Sequence, residues 1–234
     1  MRFHKEEIVG LGNNCEISFR IEDYFGGIEA QLFSWTLIKN QERWLESFDF
    51  DFDLLESGME LADNHMFSTK KYNILFHPRY DICEKSIEDA KIELTSRIQY
   101  LIQKTNRLLK SDQNLLFIIK IIEENPDQNK LFITNLYKKL MEVHPNMLLV
   151  VVMKKGSLTD QIHALEQGNL KIRSLKEFAP QKHTNILGDV VGWKAIFDEF
   201  CIKESNRYYY NLYSRRASKV YNAMKKRILG GRAR

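Results

Sequence analysis

Cys15, His77, His183 and Asp189 are the residues whose types allow nucleophilic chemistry in this chain: a thiol to attack, an imidazole to take its proton, a carboxylate to orient the imidazole. Cys15 has the most informative surroundings. Ile8-Val9-Gly10-Leu11-Gly12-Asn13-Asn14-Cys15-Glu16 runs from an apolar strand through two glycines and two asparagines into a helical pattern of Ile17, Ile21, Tyr24, Phe25 and Ile28. Asn13 followed three residues later by Glu16 predicts an N-cap at Asn13 and places Cys15 in the first turn. Amide N–H groups and the helix dipole favour the thiolate there, the form of cysteine that attacks, whereas Glu16 opposes it. Two other readings stay open at this point. Gly10-x-Gly12 is the first half of a phosphate-binding fingerprint whose third glycine is replaced by Cys15, and free cysteines commonly serve as inert core filling.

Gly10-Leu11-Gly12-Asn13-Asn14-Cys15-Glu16-Ile17-Ser18-Phe19-Arg20-Ile21 resembles the opening motif of the bacterial papain-like cysteine peptidase family, a domain family of otherwise unknown function. That motif reads Leu-Gly-x-Asn-Cys-Glu-x-Ala-x-x-Leu and is followed by Phe-Asp-Trp or a related aromatic triplet. Phe33-Ser34-Trp35 stands in that place, with Ser34 where many members carry aspartate. The family's histidine, just after a strand, is similar to His77 in Ile74-Leu75-Phe76-His77-Pro78, and its late Gly-Asp-x-x-x-Trp segment to Gly188-Asp189-Val190-Val191-Gly192-Trp193. The matches run from residue 8 to about 200. The resemblance implies acyl chemistry on a thiol.

Positioning those residues requires a scaffold, and the strand pattern predicts one. Strands are expected at about 7–11, 72–76, 115–122, 147–153 and 170–174, with helices over 84–110, 127–143 and 158–167. Leu115 to Ile122 and Met147 to Met153 read as strands buried on both faces. Alternation of strand and helix predicts an α/β three-layer sandwich of Rossmann or flavodoxin type, a mostly parallel five-stranded sheet in the order 2-1-3-4-5. In that order Cys15, His77 and Glu123 or Glu124 share one rim of the sheet. The arrangement resembles SGNH-type hydrolases, and the bacterial coenzyme-A-binding capsule-biosynthesis proteins with a Gly-Asn-Cys opening, more than a papain fold.

The roles follow. Cys15 is the expected nucleophile and His77 the preferred base, with His183 second; Asp189 is a candidate orienter or equally a helix N-cap. The Cys15 amide and the Asn14 side chain are candidate oxyanion donors, Gly12 and Asn13 shape the same turn, and Trp35 reads as pocket wall or core, as does Trp44. His4, His65, His144 and His163 read as surface bystanders. No zinc spacing is present and no structural metal is expected. Phe48-Asp49-Phe50-Asp51-Phe52-Asp53 lacks the glycine and glutamate of a calcium loop and reads as a solvated edge or turn.

Hydrophobic content of 44% and charged content of 28% are ordinary for a globular chain of 234 residues, read as one domain over 1–202. Three widely spaced cysteines, no signal peptide and no membrane-length apolar run predict a reduced, cytoplasmic protein. Residues 203–234 carry a net charge of +9, against +4 for the whole chain, so residues 1–202 carry −5. Five tyrosines interleave with the basic residues on an expected helix from about Asn206 to Leu229. That helix reads first as packed on the domain and second as a weak contact for an anionic membrane or polyanion; nothing points to nucleic acid. Two function classes remain: a cysteine-dependent hydrolase or acyltransferase acting on a small-molecule, peptide or glycan substrate, with coenzyme A if the reaction is transfer, and a non-catalytic module whose first loop holds a phosphate or coenzyme A group.

Overall fold

The computed structural model describes residues 1–12, 15–27, 30–34, 36–48, 58–62, 66–77, 86–122, 125–156, 161–179 and 188–202. The basic segment 203–234, the Phe-Asp repeat beyond Phe48, Glu123, Glu124 and His65 lie outside them.

Four parallel strands form the principal sheet: β1 (Ile8–Gly10), β6 (Leu115–Ile121), β7 (Met147–Lys154) and β8 (Leu170–Leu175), in the order β1-β6-β7-β8. Every residue of β6 is buried, as a strand covered on both faces requires. Its odd residues Leu115, Phe117, Ile119 and Ile121 cluster with residues of α3 (Ile87–Leu109) and α4 (Pro126–Val143). Leu116 and Ile118 cluster with residues of α1 (Glu16–Phe25) and of α5 (Val190–Phe200).

The helices start where local chemistry dictates. Ser86 accepts from the Asp89 N–H at the start of α3, and Asn125 accepts from Asp127 and Gln128 N–H groups at the start of α4. Ile87 and Leu131 are exposed. In α4 the buried stripe runs Asn129, Phe132, Ile133, Leu136, Leu140, and Leu131 lies off it.

The strand expected beside β1 is elsewhere. Residues Ile74–Phe76 form β5 of a second, antiparallel sheet in the order β2-β5-β4-β3, with β2 at Thr36–Ile38, β3 at Met59–Leu61 and β4 at Phe67–Thr69. The four-residue link from β4 to β5 favours local antiparallel pairing; a parallel partner for β1 needs a long crossover. It closes on Asn73, at φ 52°, with the Ile74 N–H donating to Thr69 Oγ1. The outer edge of β1 is meanwhile satisfied by a side chain: Gly10 N–H donates to Gln31 Oε1 at 3.3 Å and Gln31 Nε2 donates to the Ile8 carbonyl. The protein is therefore a mixed α/β fold with a four-stranded parallel sheet and a separate antiparallel one, and the five-stranded 2-1-3-4-5 sheet is not formed among the described residues.

His144 is another correction. It is buried, with Nδ1 2.9 Å from the Leu109 carbonyl and Nε2 2.8 Å from the Gln113 carbonyl. It ties the end of α4 to the turn between α3 and β6, and His144→Ala is expected to cost about 2 kcal/mol in urea unfolding.

Candidate active site

Cys15 follows the carboxyl end of β1 and occupies the N-cap position of α1, half-buried, with its carbonyl accepting from Phe19 N–H at 3.0 Å. The cap expected at Asn13 is thus two residues ahead of the observed one, and Cys15 stands at the cap rather than within the first turn. Asn13 and Asn14 lie outside the described residues. Glu16 turns inward. Its carboxylate is 3% exposed. Oε2 accepts from Lys120 Nζ at 2.8 Å, and Oε1 accepts from Trp193 Nε1 at 3.0 Å and from the Ala179 N–H at 3.1 Å.

Lys120 projects from β6 on the face of Leu116 and Ile118 and is 1% exposed. Burial holds its ammonium below the ordinary lysine range, and Glu16 is the main influence in the other direction. The Cys15 side chain lies within electrostatic reach of this ammonium. Lys120 Nζ lies 4.7 Å from the centre of the Phe178 ring. One turn along α1, buried Arg20 reaches Asp23 at 3.3 Å and stands 4.0 Å from Glu16, which makes a charge-balanced group of four inside the fold.

The late motif converges on this group. Asp189 caps α5: Oδ1 accepts from Gly192 N–H at 2.8 Å and Oδ2 from Lys176 N–H at 2.9 Å. One carboxylate oxygen holds the helix start and the other the segment just after β8, which favours the cap over the orienter. Gly188 has φ +47°, and a Cβ there would come within 2.5 Å of the Ala179 nitrogen. A Cβ on Gly192 would meet Leu175 at 2.6 Å. These close approaches deliver Trp193 to Glu16, so the two motifs meet at the residue next to Cys15.

Gly12 has φ +82°, and a Cβ on it would lie 2.7 Å from Thr36 Oγ1. The β1–α1 turn therefore presses on β2. Thr36 pairs with Phe76, and His77, exposed, is the next residue. His77 thus follows the strand position that pairs with Thr36, in a sheet the strand order did not predict. His183 and Trp35 lie outside the described residues, but both flanks of 180–187 are fixed near Glu16: Ala179 bonds to it and Gly188 packs on Ala179. Trp44 is a core residue, fully buried. Ser34 Oγ accepts from the Gln31 N–H, a turn contact.

Cys201 offers the contrast. It is buried and its thiol is pushed up to about 12, by burial first and by the nearby Asp198 carboxylate second. Cys83 lies outside the described residues. No family model, curated protein or solved structure matches this chain. No helix of the described residues is long and apolar enough to cross a membrane.

Proposed function

We propose that the protein is a cysteine-dependent hydrolase or acyltransferase in which Cys15 carries the acyl group. The supporting observation is the half-buried thiol at the opening of α1, beside a Glu16 whose charge is matched by Lys120. The carboxylate expected to oppose the thiolate is thereby neutralised, and the helix start favours the anion. The resemblance of the opening motif points the same way.

In this reading the thiolate attacks a carbonyl carbon. The oxyanion is held by the Cys15 amide and the Asn14 side chain, and the leaving group departs with the proton that the base took from the thiol. Water, or an acceptor such as coenzyme A, then attacks the thioester and regenerates Cys15. His77 is the base of first choice, because its strand ends where the β1–α1 turn rests on β2; His183 is the second. Asp189 serves in this reading as the cap of α5. The cytoplasmic placement, and for 203–234 a helix packed on the domain first and a weak contact with an anionic membrane or polyanion second, rest on composition alone.

Incubation with p-nitrophenyl acetate should acetylate the peptide containing Cys15 with a burst of nitrophenolate, and Cys15→Ser should lose both. A Cys15 that stays unmodified while coenzyme A binds would instead support the non-catalytic reading, which the left-handed Gly12 turn ahead of a helix start also favours. His77→Ala should slow Cys15 alkylation and move its pH profile upward while His183→Ala leaves it unchanged; the reverse would transfer the role to the later histidine.

A further inference from the structure

At the opposite end of β1 from Cys15 there is a cavity of about 420 Å³, bounded by the turn at Lys5–Glu7, by Ile8 and Ile21, and by one stripe of α3. Tyr100, Lys104, Arg107 and Leu108 recur on that stripe at helical spacing. We propose that this cavity binds a small organic phosphate with a planar ring, of mononucleotide size, the phosphate held by Lys5, Lys104 and Arg107 and the ring laid on Tyr100.

The volume is that of a small-ligand site. Three cations from two separate elements line it against a single carboxylate, Glu6. Lys104 is half-buried and its ammonium donates to the Ala30 carbonyl at 3.3 Å, which fixes it in the wall. Lys5 and Arg107 make no ion pair or side-chain hydrogen bond among the described residues. Arg107, in the last turn of α3, offsets that helix's dipole as well, and the Lys5 ammonium lies beside Gly27, just past the end of α1, so the cavity gathers cations from two helix C-termini. Tyr100 is a large aromatic left 58% exposed beside these charges, and a planar ring would cover it. Gln31, which also lines the cavity, is committed to the edge of β1 and gives no ligand contact.

Calorimetric titration of the full chain with AMP, with adenosine as a separate arm, tests this. AMP should bind saturably in the micromolar to low millimolar range, and adenosine at least about tenfold more weakly. Lys5→Gln with Arg107→Gln should weaken AMP about tenfold or more, and Glu6→Gln should strengthen it. All three side chains face solvent at least in part, and an unchanged melting temperature confirms that each variant folds. Cys15→Ser should bind AMP as the parent does. No saturable AMP binding up to about 5 mM, adenosine binding as tightly as AMP, or affinity that survives removal of Lys5 and Arg107 would each overturn the proposal. Loss of AMP binding in Cys15→Ser would overturn it too, by moving the phosphate to the β1–α1 turn.

Discussion

Lys120→Met is expected to cost about 3–5 kcal/mol of folding free energy, because it leaves the Glu16 carboxylate buried without its counter-charge. The Ala179 N–H at 3.1 Å, the Trp193 indole at 3.0 Å and the more distant Arg20 guanidinium at 4.0 Å would remain, none of them as close a counter-charge as Lys120. The ion pair itself is not a large net gain. Lys120 titrates below the ordinary lysine range in the fold, so the folded chain takes up this proton less readily than the unfolded one. At any pH below the folded value the buried charge subtracts from stability, and that loss disappears only as the pH rises above the unfolded value. Glu16→Gln with Lys120→Met, which removes both charges, is therefore expected to recover most of the loss. Urea midpoints of the parent, both single variants and the double variant decide it. Losses that simply add would mean that the two side chains act independently.

Gly188→Ala is the second large effect, about 2–5 kcal/mol. Its left-handed backbone at φ +47° costs a side-chain-bearing residue about 1–2 kcal/mol, and the new Cβ would stand 2.5 Å from a backbone nitrogen that cannot rotate away. Either Ala179 moves off Glu16 or the entry to α5 is rebuilt. Thermal unfolding measures the loss, and a variant as stable as the parent would show that this junction has room to spare. Gly12→Ala should be milder, since the atom it meets at 2.7 Å is the Thr36 hydroxyl, a side chain able to shift.

The long elements were legible because their period is carried by many residues. β6 and β7 announce themselves as unbroken apolar runs, α3 and α4 as capped amphipathic helices, and α5 as a helix following Asp189. The partner of β1 was not legible. Strands of three residues carry almost no periodicity, and the edge was closed by the Gln31 side chain, which no strand pattern encodes. Glu16 was misread because a charged residue in a first helical turn ordinarily faces water. The signal that could have corrected it was Lys120, the one charged residue within the apolar β6 run: a lysine that deep needs a buried anion. Trp193 was seen as part of a motif but not as a donor, since its acceptor lies 177 residues away in sequence.

The pH dependence of Cys15 alkylation by iodoacetamide, in a Cys83→Ser, Cys201→Ser background and compared with a Cys15→Ser chain, tests the central claim most directly. A thiol activated at the start of α1 should react with a midpoint below the ordinary cysteine value of about 8.5 and far faster near neutral pH than Cys201, whose thiol is pushed up to about 12. A Cys15 midpoint at or above about 8.5, or a rate near neutral pH no greater than that of Cys201, would contradict it.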